Sequence, residues 1–363
     1  MRAARSYPAR RDDVRLLVVD ASRGSVRESR TTYLPALLSA GDLLIVNDAA
    51  TIPASLSGRT AAGEPVEARL IAEDLERAAG HFWAVLLGAG DWRQRTEDRP
   101  PPPAVGAGDR LRFGRLDLEV VALSPLSRRL VALRFPTGPE RPDAVWAALY
   151  REGRPVQYSY LAHELPLWAV QTVYAGRPWA FEMPSAGRPL SWEILLALRD
   201  AGVHWASLTH AAGLSSTGDA VLDAALPLPE RFEIPAATVA AIEDTRRRGG
   251  RVIAVGTTVV RALEGRAAAA PDGVLRPGAS VTDLRIGPAH RRRVVDGILS
   301  GIHTSAESHF ALLAAFAPLE LLEAAERTAE ARDFSAHELG DAMLILGRPA
   351  SPVAPVVSAG PPG

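Results

Sequence analysis

The spacing of apolar segments changes twice along the chain, and this change restricts the folds that the chain can adopt. The segments "VRLLVVD" (14–20) and "GDLLIVNDAATIP" (41–53) are typical of buried strands, with a short helix or loop in "TTYLPALLSA" between them. From residue 54 to residue 136 the apolar runs are short, broken by glycines and by the prolines at 100–103. The sequence therefore predicts an α/β fold into which an all-β unit of small-barrel type is inserted.

Helical patterns return after Pro142, in "PDAVWAALYREG", "SWEILLALRDAG", "PAATVAAIEDTRRRGG" and "ALLAAFAPLELLEAAERTAE", and alternate with predicted strands at 203–209, 251–255 and 342–346. We therefore assign residues 1–53 and 143–347 to a discontinuous, mixed α/β major domain and residues 54–142 to an inserted β-barrel domain. The segment 348–363 is rich in proline and glycine and is expected to be a disordered tail.

Composition excludes several classes of protein and of chemistry. The chain has no cysteine, and its 41 basic residues are all arginine, which excludes thiolate chemistry, iron–sulfur clusters, lysine Schiff bases and a standard P-loop lysine. No apolar run approaches the roughly 18 residues of a membrane span, and the first residues lack the apolar core of a secretory signal. We expect a cytoplasmic monomer with no membrane partner, whose net charge of −1 allows only local basic patches.

The segment "RVIAVGTTVVRALE" (251–264) predicts a strand, a tight turn and a helix. Unpaired backbone N–H groups at a helix start attract anions, and a glycine there lets a ligand approach closely. An arginine in the first turns can bind a carboxylate or phosphate through two donors. The residues that would form this anion site are Gly256, Thr257, Thr258 and Arg261. The alternative is an ordinary helix start in which Arg261 pairs with Glu264.

This segment resembles "RVIAVGTTSVRTLE" of the S-adenosylmethionine:tRNA ribosyltransferase-isomerase family, which acts in the queuosine pathway. "GDLLIVNDAATIPASLSG", "VQTVYA", "VVDGILSGIHTS" and "GDAMLI" are similar to further blocks of that family and occur in the same order. The resemblance covers roughly residues 12–346. It implies a major α/β domain with an inserted minor β-barrel, in agreement with the pattern of apolar segments. The family has an additional acidic and apolar segment before Arg11, so this chain is expected to begin late.

The resemblance also implies an activity. The family transfers and isomerises the ribosyl moiety of S-adenosylmethionine onto 7-aminomethyl-7-deazaguanine at the tRNA wobble position, giving epoxyqueuosine and releasing adenine and methionine. It thus implies S-adenosylmethionine as co-substrate, tRNA carrying 7-aminomethyl-7-deazaguanine as partner, and no metal. The reaction needs a base for a ribosyl C5′ proton, which a histidine or a carboxylate could supply. The methionine carboxylate would suit Arg261 and the helix start.

Several polar signatures of the family are altered here. The family's "PTAGLHF" is "PSAGRPL" (184–190), so Arg188 and Pro189 replace leucine and histidine. "TLHVGLGTF" is "THAAGLSST" (209–217), and His210 stands one residue early, which on a strand turns a side chain to the other face.

Two other blocks keep part of their polar residues. "TNFHLPKSTL" is "SGIHTSAESH" (300–309), which keeps His303, and "MHSEWY" is "PLPERF" (227–232), which keeps Glu230. Either these changes are tolerated, which we favour, or the chain is a diverged paralogue with another acceptor or a non-catalytic RNA-binding relic. A nucleotide-binding α/β enzyme without an RNA partner is a further alternative, and binding of S-adenosylmethionine and of RNA would separate these cases.

The candidate catalytic residues are Glu230, as the preferred general base, His303 and His210. The candidate substrate-binding residues, beyond the anion site, are Asp48, Gln171, Tyr174, Asp283 and Asp341. Each has a structural alternative: a satisfied core histidine for His303, packing for Gln171 and Tyr174, and a cap or salt bridge for the aspartates. Asp48 follows a predicted strand, and strand ends in α/β sheets face binding crevices.

The densest basic runs are "TRRRGGR" (245–251) and "HRRR" (290–293), which flank part of the predicted site in sequence. Arginine clusters suit RNA phosphates, and Trp179 or Trp192 could stack on a flipped base. The alternative is a solvated helix end and turn.

Overall fold

The computed structural model describes residues 1–77, 79–136, 144–305 and 307–347. The strands are β1 (Arg2–Ala3), β2 (Arg15–Asp20), β3 (Ser25–Arg30), β4 (Leu43–Asn47), β5 (Ser55–Thr60), β6 (Pro65–Glu73), β7 (His81–Leu87), β8 (Arg110–Phe113), β9 (Leu116–Leu123), β10 (Leu130–Arg134), β11 (His204–His210), β12 (Glu230–Ile234), β13 (Val252–Val255), β14 (Gly278–Thr282), β15 (Gly297–Gly301), β16 (Ser335–Ala336) and β17 (Ala342–Leu346). The helices are α1 (Leu34–Leu37), α2 (Ala144–Glu152), α3 (Trp192–Asp200), α4 (Ala220–Ala225), α5 (Ala236–Arg247), α6 (Thr257–Ala269), α7 (Ser308–Leu313) and α8 (Leu319–Ala331).

Nine strands of the described chain form one mixed sheet in the order β14-β12-β11-β4-β13-β15-β17-β2-β3. Its centre is parallel: β11, β4, β13 and β15 all run in the same direction. Strand β4 is buried along its whole length, as expected of a strand covered on both faces. Leu43 and Ile45 pack into the cluster of α5, α6 and α8, whereas Leu44 and Val46 pack against α1 and α3. The sheet is therefore the middle layer of a three-layer α/β/α domain.

The chain between β4 and α2 forms a closed barrel in the order β10-β7-β6-β5-β8-β9. Alternate side chains of its strands fill the interior, for example Leu111 and Phe113 of β8, while Arg110 and Arg112 face outward. The barrel has its own apolar core, separate from the two clusters that cover the sheet.

The predicted fold class, a mixed α/β domain with an inserted small barrel, is confirmed. The domain boundary between residues 142 and 143 and the tail at 348–363 lie outside the described residues and stay predictions. In the part of the chain that the structure covers, we find no helix long and apolar enough to cross a membrane.

Some local predictions were wrong. Segment 311–330 is two helices and not one, because Pro318 begins α8 as its N-cap and a proline cannot continue the helix before it. The strand expected over 41–53 ends at Asn47, and β12, β14 and β15 were not predicted.

Candidate functional site

A cavity of about 510 Å³ opens where the carboxyl ends of β4, β13 and β15 meet. This is where α/β sheets generally bind ligands, because parallel strands end there and the following loops diverge. Asn47, Val255 and Ser300 bring these three strand ends to the cavity wall. Further parts of the wall come from the segment 182–187, the loop 212–215, the start of α6, residues 284–286 and helix α7.

The start of α6, where the sequence predicts an anion site at Gly256, Thr257 and Thr258, forms one wall of the cavity. Gly256 has φ 92° and ψ 155°, a backbone conformation that favours glycine, and it precedes the helix without a side-chain cap. Its own N–H donates to the carbonyl of Leu299 at 2.8 Å. The N–H groups of the first helical residues have no carbonyl partner within the helix. The positive end of the helix dipole therefore lies at the cavity.

Arg261 and Glu230 form a buried ion pair in the cavity wall, with Nη1 2.7 Å from Oε2. The Nε–H of Arg261 donates to the carbonyl of Leu284 at 3.3 Å, whereas Nη2 is buried without a hydrogen-bond partner in the described structure. The backbone N–H of Gly213 donates to the second oxygen of Glu230 at 2.8 Å. Burial raises the pKa of Glu230, against the opposing charge of Arg261.

The alternative pairing of Arg261 with Glu264 is wrong. The Glu264 carboxylate is fully buried and accepts the backbone N–H groups of Arg293, Val294 and Val295 at 2.8 to 2.9 Å instead of pairing with Arg261. Its contacts satisfy the turn that leads into β15, so Arg261 remains available to the cavity.

His210 lies behind the cavity and not in its lining. Its side chain is completely buried, and the ring stacks parallel to Phe232. Nε2 is 3.3 Å from Oε2 of Glu230, but the angles do not make a hydrogen bond. Burial, together with the charge of Arg261, lowers the pKa of His210 well below its usual range, so the imidazole is neutral.

His303 lines the cavity beside three groups that sequence reasoning did not find. Its Nδ1 lies 2.9 Å from Oε2 of Glu307, and its Nε2 lies 3.2 Å from Oγ of Ser300. The ring of His309 stacks on it with the centroids 4.8 Å apart. Burial, followed by the nearby His303, lowers the pKa of His309 to about 4.

Tyr174 also lines the cavity, and its hydroxyl donates to the carbonyl of Gly187 at 3.3 Å. Burial raises the pKa of this phenol, which therefore stays protonated. Arg188 and Pro189, which depart from the family pattern, do not line the cavity. The Arg188 side chain is buried and donates to the carbonyl of Ala169 at 2.8 Å.

Four predicted substrate-binding residues lie outside the cavity lining. The Asp48 carboxylate accepts the hydroxyls of Ser207 and Thr209 on β11, and the Gln171 amide bonds the backbone of Thr51. The carboxylate of Asp341 accepts the N–H groups of Arg15 and Ser335 and so joins the strand ends. Asp283 is exposed beside β14.

The cavity contains other polar residues that the sequence did not reveal. Asn47, one residue before the predicted Asp48, reaches the cavity and holds the backbone of His210 through both its amide atoms. Glu182 and Glu338 line it as well, and burial raises the pKa of Glu338 to about 7. In the described ranges no group of three or more acidic or histidine side chains is arranged to hold a metal ion.

The two basic runs lie at the opposite end of the sheet. Both precede parallel strands, β13 and β15, and so lie at the amino ends of these strands, whereas the cavity lies at the carboxyl ends. Arg251 pairs with Asp42, and Arg246 donates to the carbonyl of Arg293. Trp179 and Trp192 do not line the cavity either. The runs, which flank part of the predicted site in sequence, therefore do not flank the cavity in space.

Comparison with known proteins identifies the family. The model of the family described as "Queuosine biosynthesis protein" matches residues 1–345. S-adenosylmethionine:tRNA ribosyltransferase-isomerase of Gloeobacter violaceus is 35% identical over 346 residues, covering 93% of this chain and 90% of the relative. The protein of that name from Thermosynechococcus vestitus is 34% identical over 352 residues, covering 95% and 92%.

A solved structure shows the same fold. The crystal structure of S-adenosylmethionine tRNA ribosyltransferase from Thermotoga maritima matches with a TM-score of 0.51 and 24% identity, covering 95% of this chain and 96% of that one. Family membership follows from the family model, which spans nearly the whole chain, and from the relatives above 30% identity. The chain belongs to the queuosine biosynthesis protein family.

Proposed function

We propose that this chain transfers and isomerises the ribosyl moiety of S-adenosylmethionine onto 7-aminomethyl-7-deazaguanine in tRNA. The products would be epoxyqueuosine in tRNA, adenine and methionine. The names and full-length similarity of the relatives support this activity. We further propose that the protein acts as a monomer in the cytoplasm, where its tRNA substrate is found.

One structural observation carries the proposal: a single cavity joins the start of α6, the unpartnered Nη2 of Arg261 and the imidazole of His303. A buried guanidinium nitrogen without a partner is costly, and a ligand carboxylate would satisfy it. The methionine carboxylate of S-adenosylmethionine fits this need beside the helix dipole. In this arrangement Glu230 holds Arg261 in place.

His303 is then the group best placed to take the ribosyl C5′ proton, because it lines the cavity and has a ring nitrogen directed at Ser300 on the wall. His210 does not line the cavity, so we propose that it packs behind Glu230 and does not take part in the proton transfer. Glu182 and Glu338 are suited to the N–H groups of a guanine-like base, since carboxylates accept such donors.

The test is an assay of the purified protein with S-adenosylmethionine and tRNA carrying 7-aminomethyl-7-deazaguanine, with adenine and epoxyqueuosine measured by mass spectrometry. Formation of both products is expected, and it would show that the family histidine replaced by Pro189 is dispensable. Measurable S-adenosylmethionine binding without product would contradict the proposal and point to another acceptor. Salt-sensitive RNA binding without any affinity for S-adenosylmethionine would contradict it as well and favour a non-catalytic RNA-binding protein.

A further inference from the structure

A carboxylate, an imidazole and a hydroxyl lie in line at the cavity wall. Oε2 of Glu307 is 2.9 Å from Nδ1 of His303, and Nε2 on the other side of the ring is 3.2 Å from Oγ of Ser300. Ser300 belongs to β15 and lines the cavity, whereas Glu307 immediately precedes α7. The imidazole is therefore held from both sides by groups on different elements.

Glu307 is itself fixed. Its second oxygen accepts the N–H of Thr304 at 3.3 Å and the hydroxyl of the same residue at 3.0 Å. Burial alone would raise the pKa of this carboxyl, but the hydrogen bond and charge of His303 and the two bonds from Thr304 outweigh it and bring the pKa to about 2. At neutral pH Glu307 is therefore an anion that can only accept hydrogen bonds.

An anionic acceptor on one ring nitrogen decides which nitrogen of a neutral histidine carries the proton. Nδ1–H donates to Glu307. Nε2 then carries a lone pair, which accepts a hydrogen bond from the hydroxyl of Ser300. His309 also faces the ring: it stacks on it and is neutral at the same pH because its pKa is about 4. His309 therefore adds no positive charge next to His303 when His303 takes up a proton.

We propose that Glu307 is a positioning residue that holds His303 with Nδ1 protonated, so that Nε2 accepts the proton removed from the substrate. The catalytic part of this inference rests on the proposed function, whereas the protonation pattern of the ring does not. In the family string compared above, serine stands at position 307 and leucine at 309. This chain has Pro189 in place of the family histidine, but it has a carboxylate, Glu307, and a second imidazole, His309, next to His303.

The direct test is ¹⁵N NMR of the eight histidines at pH 7.5, with His303 assigned by comparison with His303→Gln. We expect the Nδ1–H tautomer in the wild type and a shift toward Nε2–H in Glu307→Ser. A matched control is Glu326→Gln, because Glu326 binds the same loop through the N–H of Ser305 at 3.2 Å without touching His303. An Nε2–H tautomer in the wild type, or the same tautomer in Glu307→Ser as in the wild type, would overturn the proposal.

Kinetics test the consequence. Glu307→Ser is expected to lower kcat by about tenfold or more, with the KM for S-adenosylmethionine changed by less than about twofold, and Glu307→Asp should recover part of kcat. Glu326→Gln should retain wild-type kcat. An equal loss in Glu307→Ser and Glu326→Gln would mean that loop anchoring alone is involved and would overturn the positioning role. If the wild type makes no epoxyqueuosine, the proposed function fails while the NMR result still decides the tautomer.

Discussion

Arg261 on α6 and Glu230 on β12 meet at 2.7 Å in a wall of the cavity, and both side chains are at least nine-tenths buried. Neither position identifies the other in the sequence, because 30 residues, including helix α5 and strand β13, separate them. The pair leaves Nη2 of Arg261 without a partner. One carboxylate thus fixes the guanidinium, and a second carboxylate, from a ligand, can complete its hydrogen bonds.

The first prediction concerns this free nitrogen. Arg261→Lys keeps a positive charge beside Glu230 but removes the second donor arm, so the affinity for S-adenosylmethionine should fall by about tenfold. Isothermal titration calorimetry measures it. The matched control is Arg266→Lys on the same helix, where the guanidinium donates to the carbonyls of Arg276 and Pro277 and does not line the cavity. Equal affinities in the two variants would contradict the assignment of Arg261 to the ligand carboxylate.

The second prediction concerns the turn before α6. Gly256→Ala has room for the new Cβ, whose nearest contacts would be 3.6 Å away, but φ of 92° is unfavourable for any residue with a Cβ. The free energy of unfolding should fall by about 1 to 2 kcal/mol, as measured by urea denaturation. Gly287→Ala is the control, because its Cβ would meet no atom within 4 Å and its φ lies outside the left-handed range. A similar loss in both variants would show that backbone strain at Gly256 is not the cause.

The strand, turn and helix around Gly256 could be predicted because all their determinants are local: an apolar run, a glycine and a helical pattern in consecutive residues. Residues that reach the site only through the packing of distant elements could not be predicted in this way. At the end of β4 the sequence favoured Asp48, yet neighbouring residues of a strand face opposite sides, and Asn47 is the one that reaches the cavity. His309 and Glu307 gave no signal, since their role depends on where α7 lies relative to β15.

The third prediction concerns Glu338, whose pKa burial raises from 4.5 to about 7. The folded state then binds a proton more tightly than the unfolded state. Its contribution to stability is therefore complete below about pH 4.5 and is lost as the pH rises through 7. The stability of the wild type relative to Glu338→Gln should fall over this window by at most about 3 kcal/mol.

Urea unfolding at pH 4.5, 6 and 7.5 measures this difference. The amide of Glu338→Gln keeps an acceptor for the hydroxyl of Tyr160, which donates to the native carboxyl. Glu320→Gln, an exposed position on α8, is the control and should show no such slope. A pH-independent difference between the wild type and Glu338→Gln would mean that the carboxyl titrates normally in the folded protein.

The last prediction concerns the surface that meets tRNA. Substrate must enter at the carboxyl ends of the parallel strands, and the exposed Arg285 stands at that mouth, whereas Arg247 and Arg248 lie at the other end and pair with Asp244. The logarithm of the binding constant falls linearly with the logarithm of the salt concentration, and each phosphate contact adds about 0.7 to 0.9 to the magnitude of this slope. Arg285→Ala should therefore lower the slope for tRNA binding by nearly one, and the double variant Arg247→Ala/Arg248→Ala should leave it unchanged. The reverse result, in a titration from 50 to 300 mM salt, would place the RNA on the basic runs and away from the cavity mouth.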